Sequence, residues 1–330
     1  MKFRINPVYA KEMKLRVRSL KFAMTVFFFN LILIIIAVTG FEIMFNVHWN
    51  SYVDYSGASK VYFIMVCLEM LMVVFLLPSF TAGSIAGERE KQTLEILLTT
   101  TLRPRQIILG KLMSSISMVL LLVISSMPVI SIVFTVGGIG MGDVMQFIFA
   151  IIIISFFIGS MGMFSSVMLK KTVPATVFSF AEVLFVCGGT VIIIAVVYLL
   201  LNLYFYNVLG GSGSRVDVSA ASYVLLINPF FTMLDMVMEQ YNTISVINRV
   251  ASELGGSLPK FVTDNWYILS LFSQAVCTYI FVGISAVFLN PLKEIKGIRR
   301  NNKKKLTLKN NLYKLNKKVE ISEARDEKNK

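Results

Sequence analysis

Charge is scarce in this chain. Asp, Glu, Lys and Arg make up 15% of its 330 residues, 56% are hydrophobic, and the mean hydropathy is +0.72. So little charge excludes an ordinary water-soluble domain, in which about a quarter of residues are charged. Histidine is nearly absent, with His48 alone, and the three cysteines, Cys67, Cys187 and Cys277, fall in different apolar runs. Metal centres need clustered ligands, and disulfides need an oxidising, solvent-side position. The cysteines are therefore expected to be soft packing residues, with no metal held. A nucleotide-cradling loop is missing too. The nearest approach, Gly110-Lys111, has Arg105 where the first glycine belongs and Leu112 after the lysine, so G-x-x-x-x-G-K-[ST] is not formed. The glycine-rich 137–143 follows no strand and is read as a tight turn. The chain is expected to bind no cofactor and to be no enzyme.

What is present is apolar length. Six runs, 22–41, 61–80, 112–136, 147–169, 177–201 and 266–289, each reach or exceed the roughly 20 residues that a bilayer core demands. The fold class is therefore an all-α integral membrane protein with six transmembrane helices. Basic charge alternates between the connections. Residues 1–21 carry seven Lys/Arg, 87–111 five, 170–171 two and 291–330 fourteen, which is 28 of the 32. The positive-inside rule then places both termini and the 87–111 stretch in the cytoplasm. The first apolar run is too long, and its basic lead too extended, for a cleaved signal peptide.

Between the second and third runs lies the one long charged, helix-forming stretch, Gly87 to Lys111. At about 100° per residue, Leu94, Leu97 and Leu98 share one face. Glu88, Gln92, Glu95, Ile96 and Thr99 share the other, a polar face with one apolar knob suited to gripping another protein. Glu90 lands near the leucine side and is expected to need a basic partner. Glu88 and Glu90 are placed at a helix N-terminus, where negative charge is favoured. Arg103-Pro104 then interrupts, so a new helix should start near Pro104. An ordinary amphipathic loop helix has the same periodicity.

Elsewhere, Asn6-Pro7 is a helix start, and Tyr9, Met13, Val17 and Leu20 form an apolar stripe among basic residues, as in a helix lying at a membrane surface. Pro78 and Pro128 are expected to kink the second and third spans. Glu69 and Glu182 lie within spans, where a carboxylate is costly. They either line a substrate path or form hydrogen-bonded helix contacts. Residues 202–264 form an outer segment that opens with a flexible GGSGS at 210–214. Its apolar stretch 220–238, broken at Asn228-Pro229, is expected to be a re-entrant or interfacial helix pair. Met233, Met236 and Met238 fit either an adaptable cap or core packing. The tail, 291–330, is basic and expected to be mostly disordered beside the inner leaflet; binding of nucleic acid is not expected.

Three sets of residues carry a family resemblance. Gly87-Glu88-Arg89-Glu90, Thr93-Leu94-Glu95, Leu97-Leu98, Ile107 and Gly110-Lys111 resemble the signature of ABC-2-type ABC transporter permeases. Thr101 stands where that family usually has proline, with Pro104 following. Asn6-Pro7-Val8 with Lys11-Glu12 resembles the family's first interfacial helix, and Asn228-Pro229-Phe230 a motif before its last span. The resemblance implies a type V exporter-like permease domain over 1–290. A separate ABC ATPase, holding ATP and Mg, would dock on the coupling-helix region through Glu88, Arg89, Glu90, Gln92, Glu95, Ile96 and Thr99. It also implies a second permease copy or a different permease as partner, lipid contact, and a bacterial plasma membrane. The alternatives are an ion-coupled carrier working through Glu69 and Glu182, which should show internal symmetry, or an intramembrane enzyme. The latter lacks the paired acids or Ser/His couple such chemistry needs.

Overall fold

The computed structural model describes residues 6–46, 56–98, 103–137, 140–208, 217–240 and 245–289, and among these it is helical without strands. His48, Thr99, Thr101, the 210–214 linker and the basic tail lie outside the described residues. Helix α1 is Pro7–Val17, α2 Leu20–Asn46, α3 Ser56–Glu90, α4 Leu94–Leu98, α5 Pro104–Gly137 and α6 Met141–Met168. Helix α7, Thr172–Leu184, passes through a π-helical turn, Phe185–Gly189, into α8, Thr190–Val208. A 3-10 segment, Ser219–Ile227, precedes α9 Pro229–Gln240, α10 Val246–Glu253, α11 Lys260–Asp264 and α12 Trp266–Phe288.

Six helical stretches are long and apolar enough to cross a bilayer: Leu20–Ile43, Lys60–Glu90, Pro104–Ile132, Met141–Met168, Thr172–Phe205 and Trp266–Phe288. The second and third overrun their apolar cores. Helix α3 has 35 residues, and at 1.5 Å per residue it is about 52 Å long. Pro78 and Pro128 lie inside continuous helices, so neither ends its span.

The core sits among α3, α5 and α6, whose apolar windows are 56–67% buried, against 17–22% for α2, α7–α8 and α12. Leu77, Ile107, Leu112, Ile154 and Phe157 are among its fully enclosed side chains. The rings of Phe164 of α6 and Phe281 of α12 meet at a tilt, with centroids 5.6 Å apart. At the opposite end of that pair, the Tyr267 hydroxyl donates to the Gln146 carbonyl at 2.8 Å, so α12 runs parallel to α6. One end of the bundle thus gathers α1, the end of α3, the start of α5, the end of α6 and the start of α7. The other end gathers the start of α3, α6 and α12 and the end of α9.

The segment before α12 has a small core of its own, Ile194, Leu225, Phe231, Ile247, Ala251, Leu254 and Trp266. Its apolar stretch breaks at Asn228-Pro229, where the 3-10 segment and α9 meet at 104°. Met233 and Met236 are buried in the main core. The segment begins later than position 202, because α8 continues to Val208.

Candidate functional site

The charged end of the bundle is built on the break after α3. Gln92 stands at φ 57°, the left-handed conformation that glycine usually supplies at a helix C-terminus. The Thr93 N–H donates to the Glu88 carbonyl at 2.9 Å and the Gln92 N–H to the Arg89 carbonyl at 3.1 Å. That is a Schellman pair, and it satisfies carbonyls that the helix end leaves open. This corrects the sequence reading: Glu88 and Glu90 occupy the last turn of α3, not a helix N-terminus. The helix dipole there disfavours negative charge, so each carboxylate needs its own partner.

Each of the three charged side chains of this turn is tied to a different helix. Glu88 pairs with Lys111 of α5 at 2.8 Å. Arg89 Nη1 donates to the Val167 and Leu169 carbonyls at 3.2 Å each, closing the C-terminus of α6. Glu90 accepts from the Thr172 N–H at 3.1 Å and its hydroxyl at 2.8 Å. The expected basic partner for Glu90 is thus replaced by the N-terminus of α7, whose open N–H groups and positive dipole end suit a carboxylate. One helical turn thereby holds α5, α6 and α7 together.

Lys111 is the hub of a second layer. Its side chain is 3% exposed, and it meets Glu12 at 2.7 Å, Glu88 at 2.8 Å and the Ser84 carbonyl at 3.1 Å. Glu12 also accepts from the Ser114 hydroxyl at 3.1 Å. Asn6 caps α1 by accepting from the Val8 N–H at 3.1 Å and donates to the Gln106 carbonyl at 2.7 Å. Tyr9 and Ser117 share a bond of 3.3 Å, and Arg16 donates to the Ser115 hydroxyl at 3.1 Å. The face of α1 against α5 is therefore polar. The apolar stripe read from sequence is not the packed one: α1 ends at Val17, and Val17 and Leu20 are 42% and 74% exposed. Gly110 permits the approach, since a Cβ there would stand 2.8 Å from Asn6 Nδ2 and 3.1 Å from Val8 Cβ.

Helix α4 divides by face as its periodicity requires. Leu94 is 6% exposed, and Leu97 and Leu98 pack on the core. Gln92 and Glu95 are exposed, and Ile96 is 69% exposed. Beyond the gap, α5 starts at Pro104, with the Gln106 side chain accepting from the Arg103 N–H at 2.9 Å. That is half of a capping box.

The two intramembrane acids make different contacts. Glu69 of α3 accepts from the Ser126 hydroxyl of α5, and Glu182 of α7 accepts from the Ser165 hydroxyl of α6 at 2.6 Å. Each joins neighbouring helices, and the two are not brought together. A further polar knot had no clear signal in the sequence beyond Asn228-Pro229. The Asn228 amide donates to the Cys187 carbonyl in the π turn at 2.8 Å and to the Thr190 hydroxyl at 2.9 Å. Its oxygen accepts from the Phe230 and Phe231 N–H groups at 3.0 and 3.1 Å, capping α9.

The turn next to α4 is bonded to α5, to the end of α6 and to α7. No curated protein matches the chain significantly. A family profile described as "ABC-2 family transporter protein" matches residues 6–290, which covers every described helix. With six apolar spans and the charged turn between the second and third, the chain belongs to the ABC-2 transporter family, as a multi-pass membrane permease.

Proposed function

We propose that the chain is an export permease whose ATPase is a separate protein, and that this ATPase grips the outward face of α4. The observation that carries the reading is Ile96. It is 69% exposed beside Gln92 and Glu95, on a helix whose opposite residue, Leu94, is buried. A large apolar side chain at the centre of a polar patch has the make-up of an interface anchor. Thr99 extends the same face by sequence. Glu88, Arg89 and Glu90 take the inner role, since all three are engaged within the chain, and they pass movement of α4 to α5, α6 and α7. ATP and Mg belong to the partner, and both termini of the permease face it in the cytoplasm of a bacterial cell.

A second permease copy, or a sister permease, completes the path in this reading. The support is the width of the uncovered apolar faces on α2, α8 and α12. The bent pair from Ser219 to Gln240 is read as a re-entrant cap on the outer side, because its 104° bend returns the chain toward the end it came from. Glu69 and Glu182 act as hydrogen-bonded ties.

The test is purification of the tagged permease with the ABC ATPase encoded beside it. Ile96→Glu and Glu95→Lys should abolish co-purification while the permease keeps its melting temperature. Full retention of the ATPase by both variants would overturn this assignment of the grip.

A further inference from the structure

A cavity of about 380 Å³ opens where α1 hands over to α2, against α3 and α5. Arg16 and Lys21 stand at its rim with the Ser19 hydroxyl, and Phe22, Phe80 and Met118 form its apolar wall. Its charge is not balanced from within. Arg16 shares Glu12, at 3.4 Å, with Lys111, which meets the same carboxylate at 2.7 Å. Lys21 makes no ion pair among the described residues. It lies in the first turn of α2, where the helix dipole adds further positive potential. Below the rim, Met24 and Phe28 are 50% and 56% exposed on α2, so an apolar track leads away from the basic mouth.

We propose that this cavity binds an anionic phospholipid. The phosphate and its net negative charge meet Arg16 and Lys21, and the acyl chains lie against Phe22, Phe80 and Met118 and down α2. A soluble phosphate would match the rim but leave the apolar wall and track unused. The inference rests on reading α2, α3 and α5 as membrane-crossing, and requires neither the ATPase nor a given orientation.

Native mass spectrometry of the full-length permease in neutral detergent, titrated with phosphatidylglycerol or phosphatidylcholine, tests it. One phosphatidylglycerol should be retained per chain, with phosphatidylcholine bound more weakly. Lys21→Gln should weaken phosphatidylglycerol about fivefold, the usual worth of one basic residue facing anionic lipid. Gly83→Leu tests the cavity without changing charge. Gly83 lines it, and a Cβ there meets nothing within 4 Å, so the larger side chain can occupy the lipid's space. Its melting temperature should hold while retention falls. Lys14→Gln makes the same charge change on the exposed side of α1 and should leave retention unchanged. Three results would each overturn the proposal: equal loss in Lys14→Gln, equal binding of the two lipids, or displacement by inorganic phosphate alone. Because the permease is assayed without its ATPase, a failed docking test and a failed lipid test remain separate outcomes.

Discussion

At the scale of the residue, Lys111 is the side chain on which the charged end most depends. It is buried between two carboxylates, and removing its ammonium would leave Glu12 and Glu88 facing each other across a half-dry gap. Uncompensated charge is destabilising, but Glu12 and Glu88 keep 17% and 28% of their side-chain surface exposed, so water relieves part of the cost. Lys111→Met should lose about 2 kcal/mol, seen as a lower melting temperature. Adding Glu12→Gln and Glu88→Gln should recover part of that loss. Gln92 offers the opposite case. A non-glycine residue in the left-handed region costs about 1–2 kcal/mol, so Gln92→Gly should raise the melting temperature. The same variant separates geometry from contact, because its ATPase retention falls only if the amide side chain touches the partner.

At the scale of the element, helix junctions decide the architecture. Gly110 lets α1 lie against α5, and Gly110→Val should push the two apart, break the Asn6 and Glu12 bonds and expose α1 to proteolysis. At the other end, Asn228→Ala should remove the cap of α9, about 1 kcal/mol, and also leave the Cys187 carbonyl without its donor. Asp217 opens the 3-10 segment. Its carboxylate accepts from the Ser219 N–H at 2.9 Å, and hydrogen bonds from Ser219 hold its pKa below the ordinary aspartate value. A depressed folded value means that this contribution is present above the unfolded pKa, near 4, and is lost as pH falls through the folded one. Asp217→Asn should remove that part of the acid dependence of the 3-10 segment, read as the pH midpoint of its hydrogen-exchange protection.

Much of this architecture was legible in the residues. Hydropathy alone gave six spans, Asn6-Pro7 and Pro104 marked two helix starts, and the leucines of α4 declared their buried face. The end of α3 was not legible, because a C-terminal stop usually announces itself through glycine and here Gln92 takes that conformation. With the boundary misplaced, Glu88, Arg89 and Glu90 looked like the first turn of a docking helix. They are the last turn of a span: Glu88 meets Lys111 of α5, while Arg89 and Glu90 bond to backbone groups at the end of α6 and the start of α7, which no pattern of side chains could reveal.

At the scale of the whole molecule, the proposed docking and transmission fall on different residues, so they should fail separately. In the proposed reading the outward face of α4 holds the partner. The last turn of α3 holds the bundle, through two Arg89 bonds to α6 and two Glu90 bonds to α7. Each bond to a charged group contributes about 1.5–3 kcal/mol when its partner is buried and much less at an exposed site. Arg89 is half-buried and Glu90 is exposed, so the paired variant Arg89→Ala with Glu90→Ala should loosen the junction without unfolding three spans that share a large apolar core. Such a permease should still retain the ATPase, because Gln92, Glu95 and Ile96 are intact. Cargo movement per ATP hydrolysed in reconstituted vesicles should nonetheless fall about tenfold, which about 1.4 kcal/mol of lost coupling suffices to produce. Ile96→Glu should instead lose the ATPase altogether, with the α3 turn intact. Should the paired variant shed the ATPase as completely as Ile96→Glu does, the charged turn would belong to the grip itself, and force would have to reach the spans by another route.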